Sequence, residues 1–133
     1  MDKRLSSLRP EFRKVAETWL HIVRDDLHVD ARVTETLRSR DRQKELAVAG
    51  KTNVETGWHN VGMALDFLCY HDGVVIHDGE DRDYTRCGLV AQALDCRWPI
   101  YISHGRKDAG HIEWHPGFTL QQFLDGQKGG LVA

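Results

Sequence analysis

An aspartate sits inside an apolar, strand-forming run, Ala64-Leu65-Asp66-Phe67-Leu68, and this placement constrains the fold more than any other feature of the chain. A carboxylate buried in such a strand is costly unless a cation compensates it. His59 stands seven positions earlier, in Trp58-His-Asn-Val-Gly-Met-Ala-Leu-Asp66. That spacing is too long for neighbours along one strand, and Gly62 makes a continuous helix a poor alternative. A histidine on a loop, a bend at Gly62 and an aspartate within a strand converge on one point. Ala64 keeps side-chain bulk away from it.

The flanking periodicity supplies the other elements. After Pro10, the apolar residues Phe12, Val15, Ala16, Trp19, Leu20 and Val23 recur at three- and four-residue steps and predict an amphipathic helix. Residues 31–37 alternate and are β-branched, which predicts a strand. Residues 40–49 predict a second helix closed by Gly50, and 51–58 a polar loop leading into the His59 segment. Residues 63–69 and 74–77 predict two strands joined by a turn at His71-Asp72-Gly73. Beyond a charged loop at 79–83, a third helix over 84–94 is expected to pack Leu89, Val90 and Leu94 inward. Residues 100–103 and 110–114 are further strands, 119–124 a short last helix, and 126–133 a frayed tail. Without a regular βαβ rhythm, this order predicts an α+β fold, a small and mainly antiparallel sheet with flanking helices. A chain of 133 residues fits a single domain, 1–133, with one core.

Composition excludes some partners. A net charge of -2 gives no electrostatic reason to expect nucleic acid. Cys69, Cys87 and Cys96 form no short metal-binding pair and cannot all pair internally, so free, buried thiols in a reducing compartment are expected. The N-terminal stretch is charged throughout and lacks the apolar region of a signal peptide. No apolar run is long enough to span a bilayer. The expectation is a soluble monomer made in the cytoplasm, without membrane insertion.

The second informative segment is Asp108-Ala-Gly-His-Ile-Glu-Trp-His115. His111 and Glu113 would share one face of a strand, with Asp108 in the preceding turn. One nitrogen ligand from this region completes a His/Asp/His set, with His115 and His104 as rivals to His111. His21, His28, His71 and His77 read as surface residues. Three protein ligands leave a fourth tetrahedral position open, as expected of a catalytic zinc. A carboxylate beside zinc-activated water, here Asp108, can take its proton and deliver it to a leaving group. Each residue alone also has a plainer reading. An isolated histidine is more often a surface or hydrogen-bonded core residue, Asp66 could cap a strand end, and Asp108 beside Lys107 could be an ordinary turn. The run Asp78-Gly79-Glu80-Asp81-Arg82-Asp83 could hold a hard cation, or be a solvated loop. Two histidines and one carboxylate also serve non-haem iron oxygenases, but there the first histidine and the acid stand one residue apart, not seven.

Together, His-x-x-Gly-x-Ala-x-Asp followed by Asp-x-x-His resembles the D-alanyl-D-alanine carboxypeptidase-like zinc peptidases. The wording Trp58-His59-Asn60-x-Gly62-x-Ala64-x-Asp66-Phe67 is similar to the phage endolysin branch, which cuts the L-alanyl-D-glutamate bond of peptidoglycan. Leu37-Arg38-Ser39 and Gln43 resemble that branch's Arg-Ser-x-x-x-Gln element. The resemblance runs over 33–114. Departures are Gly57 for the usual serine, Gly110 and Ile112 for the proline and phenylalanine around the last histidine, and Trp98-Pro99-Ile100-Tyr101 for Trp-Gly-Gly-x-Trp. They remove no chemical group and bear on the cleft wall.

The resemblance implies a fold of the hedgehog/D-Ala-D-Ala peptidase type, with zinc held by His59, Asp66 and His111. It implies Asp108 as catalytic base, and Arg38 and Ser39 as contacts to a peptidoglycan stem peptide. The implied activity is wall lysis as an endolysin, an antimicrobial hydrolase released through a membrane pore made by another protein. Alternatives are a D-alanyl-D-alanine dipeptidase or carboxypeptidase using the same site, or a non-catalytic zinc-containing binding module.

Overall fold

Strand β2 (Ala64–His71) is the spine around which the rest is arranged. The structure, a computed structural model, describes residues 1–50, 57–98, 100–102, 105–107, 109–114 and 122. Alternation along β2 buries Leu65, Phe67 and Cys69 on one face and turns Asp66, Leu68 and Tyr70 to the other. Strand β1 (Asp30–Glu35) runs antiparallel along one edge of β2. The opposite edge is shared by β3 (Val74–Val75) and β6 (His111–Glu113), each antiparallel to its own stretch of β2. Asp72 and Gly73, at φ 49° and 79°, make the tight hairpin turn between β2 and β3.

Two helices cover the apolar face of this sheet. One is α1 (Pro10–His21), prolonged by a π-helical turn over Ile22–Asp26; the other is α3 (Arg82–Ala93). The Trp19 ring meets Phe67 edge-on at 4.9 Å, and its Nε1 donates to the Cys87 carbonyl at 2.9 Å, joining sheet, α1 and α3 at one point. The Tyr84 hydroxyl accepts from Cys69 N at 3.2 Å and donates to the Ile76 carbonyl at 2.9 Å. Phe12, Trp19, Leu65, Phe67 and Ile112 are fully buried here, each stabilising the fold by about 1.5–3 kcal/mol. Helix α2 (Arg40–Val48) follows β1. Strands β4 (Ile100–Ile102) and β5 (Gly105–Lys107) pair as a separate antiparallel ribbon. The result is the expected α+β architecture, with helices on one sheet face and the other face left for polar side chains.

Several boundaries and one face differ from the sequence expectation. Strand β1 ends at Glu35, short of residue 37, and beyond it Thr36 N donates to the Asp2 carbonyl at 2.7 Å. Helix α3 begins at Arg82, since the Asp81 carboxylate accepts from Asp83 N at 2.9 Å and caps it. Leu89 does not pack inward; it is 56 % exposed. The inner face of α3 is Tyr84, Cys87, Gly88 and Ala91, and the Trp98 indole lies where a Gly88 Cβ would be. Val90 and Leu94 pack against the rim of the core. All three cysteines are free and buried, with the Cys69 and Cys87 sulfurs 3.8 Å apart. Among the described residues no helix is long and apolar enough to cross a membrane. The expected loop over 51–56, the helix at 119–124 and the tail at 126–133 lie outside the described residues, apart from Gln122.

Candidate metal centre

The site is built as a row across three strands. The register places Asp66 of β2 opposite His111 of β6 on one side and Glu35 of β1 on the other. Directly paired residues of antiparallel strands project to the same face, so these side chains meet. Without the register shift in β1, Thr34 would stand opposite Asp66; the bulge replaces it with a carboxylate. His59 arrives from a 3₁₀ turn over Trp58–Val61. Gly62 ends that turn at φ 72°, and a Cβ there would lie 3.0 Å from the Arg9 backbone nitrogen. The left-handed conformation and the close approach together explain the glycine.

These elements bring His59, Asp66 and His111 together. His59 Nε2 lies 3.1 Å and His111 Nδ1 2.9 Å from the same oxygen, Asp66 Oδ1. The far nitrogen of each ring is also engaged. His59 Nδ1 is 2.9 Å from the Thr36 carbonyl, and His111 Nε2 is 2.8 Å from Glu113 Oε1. A carbonyl and a carboxylate only accept, so each ring donates outward. Neutral imidazoles then turn their lone pairs inward onto Asp66 Oδ1, an arrangement of three converging electron-pair donors. Two imidazole nitrogens and one carboxylate oxygen within 4.8 Å of one another are a donor set that zinc takes, so the residues fit that ion. Among the described residues no other group of histidine, cysteine and carboxylate side chains converges in this way.

The electrostatics of the site follow from the same contacts. Burial alone would raise the Asp66 carboxyl, but hydrogen bonds from His111 and His59, together with their charge, hold it well below the usual carboxylate range. Burial alone would lower His111; its hydrogen bonds to Asp66 and Glu113 and the charge of both acids outweigh that and push it up to about 9. The inward nitrogens are hydrogen-bond donors to Asp66 when protonated and electron-pair donors to a cation when neutral.

Arg38 completes the row. Its Nε and Nη2 donate to Glu35 Oε1 at 3.0 and 2.5 Å, and Nη1 donates to Gln43 Oε1 at 2.9 Å. Nη2 also reaches Asp66 Oδ2 at 3.4 Å, so one carboxylate oxygen faces the guanidinium and the other the histidines. The Arg38 side chain is only 11 % exposed, so its charge is held among protein partners rather than in solvent. Ser39 caps α2, its Oγ accepting from Arg42 N at 3.1 Å. Asn60 Nδ2 donates to the Arg38 carbonyl at 2.7 Å, tying this segment to the turn that carries His59. A cavity of about 470 Å³ opens beside it, lined by Glu35, Leu37, Arg38, Arg40, Arg42 and Asn60 among others.

Asp108, His104 and His115 lie outside the described residues. His21, His28, His71 and His77 are exposed, as expected. In the charged loop, Asp78 Oδ1 accepts from Glu80 N at 2.9 Å and Asp81 caps α3, the hydrogen bonding of an ordinary loop. Of the supports of the site, Gln43 stands in the sequence motif beside Arg38, whereas Glu113, Glu35 and the Thr36 carbonyl have no role in it. Glu113 carried a signal, its shared strand face with His111. Glu35 carried none, because its place depends on the bulge. The Thr36 carbonyl has no side-chain signature at all.

No family model and no curated protein matches the chain by sequence. Solved structures do match by shape. The L-Ala D-Glu endopeptidase ChiX of Serratia marcescens superposes with a TM-score of 0.64 at 22 % identity, over 90 % of this chain and 86 % of that one. The LD-carboxypeptidase LdcB, whose structure addresses peptidoglycan recognition, superposes with a TM-score of 0.61 at 17 % identity, over 99 % of this chain and 69 % of that one. At such identities the likeness is one of fold. The chain has the α+β fold expected from the resemblance, in common with these two peptidases, and carries His59, Asp66 and His111 together on the open face of its sheet.

Proposed function

We propose that the chain is a zinc-dependent peptidoglycan peptidase that cuts the L-alanyl-D-glutamate bond of the stem peptide, in the manner of a phage endolysin. The observation that carries this reading is the convergence of His59 Nε2, Asp66 Oδ1 and His111 Nδ1, each held from behind by a further protein group. The shared fold with an L-Ala D-Glu endopeptidase and an LD-carboxypeptidase supports the substrate class. The endolysin-like wording from Trp58 to Phe67 supports the bond. Release to the wall through a pore made by another protein belongs to the same proposal.

Bound by the two histidines and the aspartate, zinc would supply Lewis acidity and lower the pKa of water to about 7, making a nucleophile available at neutral pH. Asp108, three positions before His111, takes the proton of the attacking water and returns it to the leaving amine. Arg38, clamped by Glu35 and Gln43, holds a fixed positive charge close to the ligands, where negative charge develops on the scissile carbonyl oxygen. Arg40 and Arg42 line the adjoining cavity and offer partners for stem-peptide carboxylates.

The test is solubilisation of purified peptidoglycan by the protein before chelation, after chelation and after zinc is restored. Activity should vanish with the metal and return with it. Asp108→Ala should solubilise no wall while retaining zinc by metal analysis. Full activity in the chelated protein would refute the metal reading, and normal lysis by Asp108→Ala would refute the assignment of the base.

A further inference from the structure

Glu113 is a buried acid, 6 % exposed, on a short strand that otherwise needs no charge. Its backbone is fixed from both sides. β6 pairs with β2, and on the other edge Arg97 N donates to the Glu113 carbonyl at 2.7 Å while Glu113 N donates to the Arg97 carbonyl at 3.3 Å. Across the sheet its register partner is Ala64, whose methyl leaves room on the face that Glu113 and Asp66 share. The carboxylate lies beside the ring two residues before it, with Oε1 2.8 Å from His111 Nε2. A buried carboxylate is tolerated when it is hydrogen-bonded to a group that needs it.

We propose that Glu113 is a positioning residue of the metal centre. By accepting the Nε2–H of His111, it fixes the tautomer in which Nδ1 carries the electron pair turned toward Asp66. Its negative charge makes that nitrogen a stronger donor. The two histidines of the site are thus supported unequally. His59 is oriented by a neutral backbone carbonyl that no substitution removes, and His111 by a charged side chain that one substitution neutralises. The inference rests on the reading of His59, Asp66 and His111 as zinc ligands.

Competition with a chromophoric chelator measures the zinc dissociation constant of the wild type, Glu113→Gln and Glu113→Ala. Glutamine keeps the size and an accepting oxygen but not the charge, so it carries the test should the alanine variant not fold. Both variants should bind zinc about 10- to 100-fold more weakly than the wild type. In the zinc-loaded proteins, the His111 Nε2–H resonance should be sharp in the wild type and broadened by exchange with water in Glu113→Ala. Wild-type zinc affinity in both variants, even with a lowered melting temperature, would overturn the positioning role and leave the zinc reading standing. A wild-type protein that binds no zinc would overturn both.

Discussion

His111 lies between two acids, Asp66 and Glu113, and each of its nitrogens has one of them as partner. In the metal-free protein its pKa of about 9 compares with about 6.5 in an unfolded chain. A raised value means the proton adds stability that is fully present below about pH 6.5 and is lost as the pH rises through 9. Asp66 works in the opposite direction. Its carboxyl is held low, so its contribution is present above about pH 4 and is lost on acidification. The melting temperature of chelated protein should therefore fall between pH 6.5 and 9.5, and the fall should shrink in His111→Ala. A flat wild-type profile would show that the ring does not carry that proton. Arg38 supplies a second test at this scale. Glu35 and Arg38 are both largely buried, and removing Arg38 leaves Glu35 only its longer pair with Arg42 Nε at 3.7 Å. Arg38→Met should lose about 3–5 kcal/mol in urea unfolding; a loss below about 1 kcal/mol would mark Arg38 as an ordinary surface charge. The sequence motif held Arg38 and its partner Gln43 but not Glu35, which reaches Arg38 only because β1 bulges.

Among the elements, β6 is the one whose placement decides the site, and Gly110 controls its approach to β2. The Gly110 carbonyl accepts from Phe67 N at 2.7 Å, and a Cβ on Gly110 would collide with the Phe67 carbonyl oxygen. Glycine in place of the resemblance's usual proline is thus a packing requirement of this chain. Gly110→Ala should cost about 1–3 kcal/mol in urea unfolding through overpacking, and should weaken zinc binding because His111 follows directly. An unchanged midpoint and affinity would show that β6 does not depend on this close approach. Elements governed by local chemistry were legible in the sequence. The three- and four-residue steps from Phe12 to Val23 gave α1, and Asp72-Gly73 gave the hairpin. Features set by a distant partner were not. The bulge in β1 that sets Glu35 opposite Asp66 depends on its register with β2, and the inner face of α3 has Trp98 lying against Gly88, with Leu89 outward.

At the scale of the whole molecule, the two sheet faces divide the work. Leu65, Phe67, Cys69 and Ile112 bury one face under α1 and α3, and the alternate positions put Asp66, His111 and Glu113 on the other. The cost of a carboxylate in an apolar strand, visible in the sequence, is met on that open face by two histidines and an arginine. Resemblance in shape extends to solved structures at 22 % and 17 % identity. The proposed activity names a particular bond, and mass spectrometry of the fragments released from purified peptidoglycan by the zinc-loaded protein tests it directly. The proposed cleavage should release stem peptides that begin at D-glutamate and leave glycan strands that carry only L-alanine. Loss of a single C-terminal residue from stems otherwise still attached to glycan would contradict it.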